Sequence, residues 1–240
     1  MNVFVGTSGY SYPEWKGTFY PAKMSPKQML GYYGTQFRTV EINNTFYRPP
    51  TVQLLDTWAA QVPPGFRFVL KAPQEITHVK RLRGTEAMVA ALCETAGALK
   101  ERLGPILFQL PPNFGKDVPR LTAFLALVPV GCRAAFEFRH QSWFCDEVFA
   151  LLRAHNAGMC LADADDELDV PFVPTADWGY LRLRRPDYDD ATLQTWAARI
   201  RAQNWREVFV FFKHEDAGTG PRLAARLVEM LEDKAQKRAA

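Results

Sequence analysis

Charged side chains stand at the ends of several short apolar runs, and their types suit acid–base chemistry and anion binding. The run "AAFEFR" (134–139) carries Glu137 and Arg139 in alternation with two phenylalanines, so an extended strand presents both charges on one face. Glu41 and Lys71 lie at the ends of two earlier runs. Carboxylates whose pKa values are separated by neighbouring cations can serve as general base and general acid. Glu41, Glu137 and Lys71 are therefore the predicted catalytic residues.

The other polar and aromatic side chains near these run ends are predicted to bind the substrate. Guanidinium and ammonium groups hold anions by charge-assisted hydrogen bonds, and aromatic rings stack on bases or sugars. The predicted substrate is therefore a small anionic or phosphorylated compound, and a nucleotide or a nucleic-acid end is included. The predicted binding residues are Ser8, Tyr10, Trp15, Asn43, Tyr47, Gln109, Arg139, Trp143, Asp163, Arg182, Arg184, Lys213 and His214.

Three other chemistries fit subsets of these residues. A metal-dependent hydrolase or isomerase would bind a divalent metal through Glu41, Glu137, Asp163 and His214. The interleaved cations argue against it, and neither a metal nor a cofactor is predicted. A sugar-acting enzyme would use the two glutamates as its carboxylate pair, and Schiff-base chemistry would depend on Lys71. A buried ion pair of Glu137 with Arg139 that only fixes the packing is a further alternative.

The pattern of elements tells how these residues are positioned. Short apolar runs bounded by Gly, Pro or polar residues are typical of strands, and apolar residues at helical spacing lie between them. Strands are predicted at 3–8, 39–43, 66–71, 105–110, 134–139, 159–163, 179–184 and 207–212, and helices at 26–35, 52–61, 85–102, 118–127, 145–156, 190–203 and 218–234. This alternation predicts a single parallel (β/α)8 TIM-type barrel over residues 1–240, with a doubly wound sheet as the alternative. The candidate residues would then meet at the C-terminal mouth of the barrel, where barrel enzymes assemble their active sites.

Two loops would border that mouth. The loop "GTSGYSYPEWKGTFYP" (6–21) is rich in aromatic residues and is predicted either to plug the barrel edge or to cover the mouth. In "HEDAGTGPRLAARL" (214–227), Gly218 and Gly220 precede the last helix. A helix N-terminus in this place can bind phosphate, and glycines that only shape the loop are the alternative.

The composition excludes several classes of protein. Apolar residues make up 48% of the chain, which is ample for a core, and a net charge of +3 is too small to indicate nucleic-acid binding by itself. The chain has no apolar run long enough for a membrane span and no signal-peptide pattern, so a cytoplasmic protein without membrane contact is predicted. The cysteines form no C-x-x-C pair and are expected to be small core residues; they are Cys93, Cys132, Cys145 and Cys160. No oligomeric state is predicted.

Seven ordered segments resemble the family known as domain of unknown function 72, or YecE-like. They are "GTSGYSYPEWKGTFYP", "VEINNTFYRPP", "FRFVLKAPQEITH", "GPILFQLPPNF", "FEFRHQSW", "YLRLR" and "VFVFFKHEDAGTGPRLAARL", and they run from residue 6 to about 230. The resemblance implies a TIM-type barrel but no established reaction, and a nucleic-acid or phosphoester role follows only from fold analogy with metal-dependent endonuclease barrels. Where the family usually has Tyr-x-Arg-x-His-Gly, this chain has Arg184 and Arg185 in place of His-Gly, which favours an anionic ligand.

Overall fold

The computed structural model describes residues 1–165 and 168–236, and in it eight parallel strands form one nearly closed barrel. The strands are β1 (Asn2–Thr7), β2 (Thr39–Ile42), β3 (Arg67–Lys71), β4 (Leu103–Gln109), β5 (Ala134–Glu137), β6 (Gly158–Asp163), β7 (Trp178–Leu183) and β8 (Glu207–Phe212). Each strand pairs with its neighbours in the order β1-β8-β7-β6-β5-β4-β3-β2. The predicted barrel is confirmed.

Seven α-helices of the described chain surround the strands. They are α1 (Pro26–Gln36), α2 (Val52–Ala59), α3 (Glu86–Ala96), α4 (Val118–Leu125), α5 (Asp146–Ala154), α6 (Asp190–Arg201) and α7 (Thr219–Gln236). The predicted helix 85–102 is shorter than expected. It ends at Ala96, and a 3-10 segment follows at Gly97–Arg102 in which Lys100 has φ +52°, a conformation that a helix does not contain. No helix in these described ranges combines the length and apolar character needed to cross a bilayer.

Side-chain caps explain where several helices begin. Thr51 accepts a hydrogen bond from the backbone N–H of Leu54 at the start of α2, and Asp117 accepts one from Arg120 at the start of α4. Asp189 caps α6 in the same way. Each cap satisfies a backbone donor that the first helical turn leaves unpaired. The loops between strand and helix are therefore anchored close to the barrel mouth.

The seam between β1 and β2 closes the barrel. Ser8 forms a parallel bridge with Glu41, and the N–H of Gly9 donates to the carbonyl of Glu41 at 2.7 Å. A side chain would not fit at Gly6, because an added Cβ would lie 2.2 Å from the carbonyl oxygen of Thr39. The seam leaves the sheet without the two open edges that a doubly wound sheet would have.

Strand alternation divides the chain into an interior and an outer layer. The interior is filled by Phe4, Val69, Leu107, Ala135, Cys160, Trp178, Tyr180, Phe209 and Phe211, which form one buried cluster. The larger cluster lies between the strands and the helices. Because side chains point to alternate faces, the interior row continues upward from these residues into Glu41, Lys71, Gln109, Glu137 and Arg182. The charged and polar side chains at the upper end of this row therefore line the barrel mouth.

Candidate functional site

Arg182 lies between two buried carboxylates at the C-terminal end of the barrel. Its Nη1 donates to Glu137 Oε2 at 2.6 Å, and its Nη2 donates to Glu41 Oε1 at 2.8 Å. All three side chains are 2% exposed or less. Buried charges cost free energy unless they are paired and hydrogen-bonded, and this arrangement pairs both carboxylates with one guanidinium. We call Glu41, Arg182 and Glu137 the buried triad.

Charged neighbours set the pKa values of Glu137 and Arg182. Burial by itself raises the pKa of Glu137, but the guanidinium groups of Arg182 and Arg184 outweigh it and lower this pKa to about 2. For Arg182, burial lowers the pKa, and the two glutamates raise it well above its usual value. For both Glu137 and Arg182, the charged partners together change the pKa more than desolvation does.

Glu41 is enclosed by hydrogen-bond donors. The hydroxyl of Tyr180 donates to its Oε2, and Ser8 and Arg182 donate to its Oε1. Because both carboxylate oxygens are occupied and the side chain is 0% exposed, Glu41 holds Arg182 in place instead of facing a ligand. The same burial raises the pKa of the Tyr180 phenol, with the charge of Glu41 adding to it. Ser8 belongs to this support as well.

Lys71 stands beside the triad in a different environment. Its Nζ donates to Gln109 Oε1 at 2.9 Å and lies 4.0 Å from the centre of the Phe46 ring. Within residues 1–165 and 168–236, no carboxylate oxygen lies within 4.0 Å of this Nζ. Burial lowers the pKa of Lys71, and the positive charge of Arg182 adds to this, so that the pKa falls to about 8. Lys71 therefore changes its charge close to neutral pH.

Three further cations surround the mouth above the triad. Arg139 Nε and Arg184 Nη2 each lie 3.9 Å from Glu137 Oε1. The side chain of Arg139 is 33% exposed and that of Arg184 is 15% exposed, so Arg139 is partly open to solvent and Arg184 is mostly buried. Lys213 is exposed at the end of β8, and its charge contributes to the lowered pKa of Lys71. The predicted binding residues Arg139, Arg184 and Lys213 thus lie on one rim.

His78 belongs to the same rim, although sequence reasoning missed it. Its ring lies edge-on to Phe46 with centres 4.9 Å apart, and its Nδ1 is 2.9 Å from Thr77 Oγ1. Burial lowers the pKa of His78, and the charges of Lys71 and Arg139 lower it further. His78 sits on a π-helical turn, Glu75–Val79, and such turns are rare and frequent at functional sites. The only signal in the sequence is a histidine seven positions after Lys71 in one loop.

Asp163 and His214 do not join this mouth. Asp163 Oδ1 accepts from Arg185 Nε at 2.6 Å, and its Oδ2 accepts from Trp196 Nε1 of α6 at 3.2 Å. His214 Nε2 lies 2.6 Å from the carbonyl oxygen of Arg185. Both residues are one position out of step with the interior row, and one step along a strand turns a side chain to the opposite face. Their predicted role as substrate-binding residues at the mouth is therefore not supported by their position.

The four predicted metal ligands do not converge on one point, for the same reason. Glu41 and Glu137 are bridged by a guanidinium, while Asp163 and His214 lie on the helix side of the barrel. No group of three or more His, Cys, Asp or Glu side chains in the described ranges could hold a metal ion. The interior row supplies cations where a metal site would need further oxygen or nitrogen donors.

The two tryptophans predicted at the rim are packing residues. Trp15 and Trp143 are both 0% exposed. Trp143 Nε1 donates to the carbonyl of Phe114 at 2.6 Å, and its ring stacks on Phe138 with centres 4.8 Å apart. Neither ring is available to stack on a ligand. The sequence could not separate an aromatic rim from an aromatic core, because both read as apolar residues in a loop.

The loop 6–21 is an ordered plug at the barrel edge. The Tyr12 hydroxyl donates to the carbonyl of Ser8 at 2.7 Å, and the Tyr20 hydroxyl donates to the carbonyl of Tyr10. A shallow pocket of about 250 Å³ remains between this loop and the end of β2. Its lining includes Tyr10 and Asn43, both half-buried. Tyr47 is 74% exposed and is the predicted rim aromatic with the most accessible surface.

The glycines after β8 shape the turn into α7. Gly218 has φ +79°, and an added Cβ at Gly220 would lie 2.9 Å from the carbonyl oxygen of His214. The N–H of Thr219 is already bonded to the carbonyl of Asp216 at 2.9 Å, and Pro221 has no N–H to offer. This turn favours the loop-shaping alternative over phosphate binding.

Sequence comparisons match the chain to one protein family. The family model "Protein of unknown function DUF72" matches residues 4–240. The UPF0759 protein YecE of Escherichia coli K12 is 29% identical over 143 residues, which are 59% of this chain and 50% of that protein. The match thus spans half the length of that relative. The UPF0759 protein YunF of Bacillus subtilis 168 is 25% identical over 88% of this chain and 78% of its own length.

Solved structures agree with this assignment. A DUF72 family protein from Thermotoga maritima MSB8 superposes with a TM-score of 0.85 at 28% identity, covering 97% of this chain and 100% of that one. A D-psicose 3-epimerase from Clostridium cellulolyticum H10, solved with D-tagatose, superposes with a TM-score of 0.58 at 11% identity, covering 99% of each chain. SacUVDE reaches 0.54 at 8% identity, covering 98% of this chain and 99% of its own. The last two similarities show the barrel fold alone. The chain belongs to the DUF72 family.

Proposed function

We propose that the barrel mouth binds a phosphate-bearing anion, such as a nucleotide or a nucleic-acid end, and that Lys71 holds it together with Arg139 and Arg184. The observation that carries the proposal is the setting of Lys71. Its ammonium group is half-buried, and its contacts within the described chain are a neutral amide and an aromatic ring. An anion at the mouth would give Lys71 the direct ion pair that it lacks among the described residues.

The buried triad serves this site as a rigid support. Glu41 and Glu137 fix Arg182, and the ionised Glu137 faces Arg139 and Arg184 at 3.9 Å and orients both guanidinium groups. A carboxylate with a pKa of about 2 is a weak base, so Glu137 does not suit proton transfer at neutral pH. Lys71, with a pKa of about 8, suits it better. Lys71 is therefore the proposed acid–base residue, and phosphoester hydrolysis is the proposed reaction.

Two earlier alternatives lose support from this geometry. A glycosidase needs its scissile bond between the two carboxyl groups, and here the guanidinium of Arg182 fills that space. A metal-dependent hydrolase needs ligands that converge, and the four predicted ligands lie on two faces of the barrel.

Schiff-base chemistry is the second candidate function, because burial leaves part of the Lys71 amine neutral near pH 8. The amine would attack an aldehyde carbon and lose water to form an imine. Glycolaldehyde phosphate with borohydride should then leave a secondary amine on Lys71, detected by peptide mass. An unmodified Lys71, or equal labelling of the exposed Lys27, would eliminate this candidate.

Thermal melting with paired ligands tests the proposed function. Ribose phosphates, nucleotides and short end-phosphorylated oligonucleotides are each compared with the same compound without its terminal phosphate. Inorganic phosphate is tested beside them. A ligand at a hundred times its Kd adds about 2.7 kcal/mol, which raises the Tm of a domain of this size by several degrees. Phosphorylated compounds alone should stabilise the protein. Arg139→Ala should weaken binding about tenfold or more, because a charge-assisted hydrogen bond is lost.

Arg206→Ala is the matched control. Arg206 is 84% exposed and precedes β8, at the opposite end of the barrel. The Arg206→Ala substitution removes the same charge as Arg139→Ala but leaves the mouth unchanged. Equal losses in both variants, or equal shifts with phosphorylated and unphosphorylated ligands, would contradict the proposal.

A further inference from the structure

The sulfur atoms of Cys93 and Cys132 lie 3.0 Å apart at the foot of the barrel. Cys93 is on α3, and Cys132 precedes β5, so the pair is at the opposite end from the mouth. A disulfide has a sulfur–sulfur distance of about 2.05 Å, so bond formation requires a movement of roughly 1 Å. Both residues are reduced in this structure.

The backbone holds both cysteines in place. On α3, Val89 and Ala96 are 0% exposed and anchor the helix on either side of Cys93. Cys132 ends a tight turn in which its N–H donates to the carbonyl of Pro129 at 3.0 Å and Gly131 has φ +93°. The short sulfur distance is thus set by two fixed segments, which gives the second thiol a high effective concentration next to the first.

The two thiols are not equivalent. The two sulfur atoms share one hydrogen bond in which either thiol can be the donor. This contact lowers the pKa of Cys93 and raises the pKa of Cys132. The thiolate is the form that reacts with oxidants. Cys93 is therefore the thiol that reacts first with the oxidant, and Cys132 is the thiol placed to attack the oxidised Cys93.

We propose that Cys93 and Cys132 form an oxidation site, which a hydroperoxide converts into an intramolecular disulfide. Cys93 loses its proton, its thiolate attacks one peroxide oxygen and the O–O bond breaks, giving a sulfenic acid and a leaving alkoxide or, from hydrogen peroxide, hydroxide. The leaving group takes up the proton that Cys93 released and becomes an alcohol or water. The Cys132 sulfur then loses its proton and attacks Cys93 Sγ. The S–OH bond breaks, and the leaving hydroxide takes the proton and becomes water. Two thiols lose two electrons and two protons, and a dithiol reductant reverses the change.

The cross-link would constrain the segment that carries β4 and α4. The two cysteines are 39 positions apart, and closing a loop of this length lowers the entropy of the unfolded chain. The disulfide should therefore raise the Tm by roughly 5 to 15 °C. It needs no ligand at the mouth, so this inference is independent of the proposed function.

Peroxide titration of the full chain tests the proposal. Hydrogen peroxide should lower the number of thiols titrated in denaturant from four to two, with a mass loss of about 2 Da and a linked peptide containing both residues. Dithiothreitol should restore all four. The Tm should rise on oxidation and fall again on reduction.

The remaining cysteines supply the controls. Cys145→Ser keeps the pair and should still lose two thiols, whereas Cys93→Ser and Cys132→Ser should form no linked peptide and show no Tm rise. Serine differs from cysteine in one atom, so folding of the variants is checked by their Tm before oxidation. Linkage through Cys145 or Cys160, or oxygen addition of about 16 or 32 Da at Cys93 without a link, would overturn the proposal.

Discussion

Replacement of Lys71 by methionine should make the protein more stable, and the gain should depend on pH. The pKa of Lys71 falls from the ordinary value of 10.5 to about 8 because the side chain is buried beside Arg182. One pKa unit corresponds to about 1.4 kcal/mol, so the charged amine costs at most about 3 kcal/mol. The side chain keeps some contact with solvent, which reduces the expected cost to about 2 kcal/mol. Methionine has a similar length and no charge.

The sign of the pH dependence follows from the two pKa values. Between about pH 8 and 10.5 the unfolded chain keeps the Lys71 proton while the folded chain loses it. The unfolded state then binds more protons, so the stability of the wild type rises with pH relative to the variant. The advantage of Lys71→Met should be full below pH 8 and should disappear by about pH 10.5.

Urea unfolding at several pH values from 7 to 10.5 measures this difference. Other lysines and tyrosines titrate in both proteins, so they cancel when the variant is compared with the wild type. Lys27→Met, at an exposed position on α1, is the control. Its difference in free energy of unfolding from the wild type should not change with pH. If the stability difference between Lys71→Met and the wild type stays constant from pH 7 to 10.5, the pKa of Lys71 is not shifted. The acid–base role proposed for Lys71 would then be refuted.

Four further substitutions test the support around the mouth. Arg182→Met should lower the free energy of unfolding by about 3 to 5 kcal/mol in urea, because it leaves two buried carboxylates unpaired. The folded-state pKa of Glu137 lies below its ordinary value of 4.5, so ionised Glu137 stabilises the fold above pH 4.5 and this stabilisation is lost towards pH 2. Glu137→Gln should therefore make the Tm less dependent on pH between 4.5 and 2. Tyr180→Phe should cost about 1 to 3 kcal/mol by removing a donor from a buried carboxylate oxygen, as urea unfolding would show. Gly6→Ala should prevent closure between β1 and β2, because its Cβ would lie 2.2 Å from Thr39 O, and circular dichroism should show loss of the cooperative melt.

The barrel and much of its mouth follow from periodicity. Apolar runs spaced by helical segments predict the strand order, and alternation within each run predicts that Glu41, Gln109 and Arg182 point inward. These side chains line the interior row as expected. The reason is that a buried strand has only two faces, so a polar residue between two apolar neighbours takes the other face.

Other features depend on information that the pattern lacks. Asp163 is one position out of step, and a sequence pattern does not fix a strand end to one residue. The bridge made by Arg182 and the contact of Cys93 with Cys132 join segments far apart in the chain, so they arise only when the barrel closes. Cys93 and Cys160 are buried as expected, while Cys132 and Cys145 are partly exposed.

Proton linkage on anion binding tests the role of Lys71 most directly. Sulfate serves as the probe, because it is a tetrahedral dianion that does not itself titrate near neutrality. Calorimetric titration at pH 8 in buffers of different ionisation enthalpy should show uptake of up to about half a proton, because an anion raises the pKa of a half-protonated Lys71. Lys71→Met should abolish the uptake and weaken binding, and Lys27→Met should change neither. Sulfate binding without proton uptake, or equally tight binding to Lys71→Met, would contradict an anion site centred on Lys71.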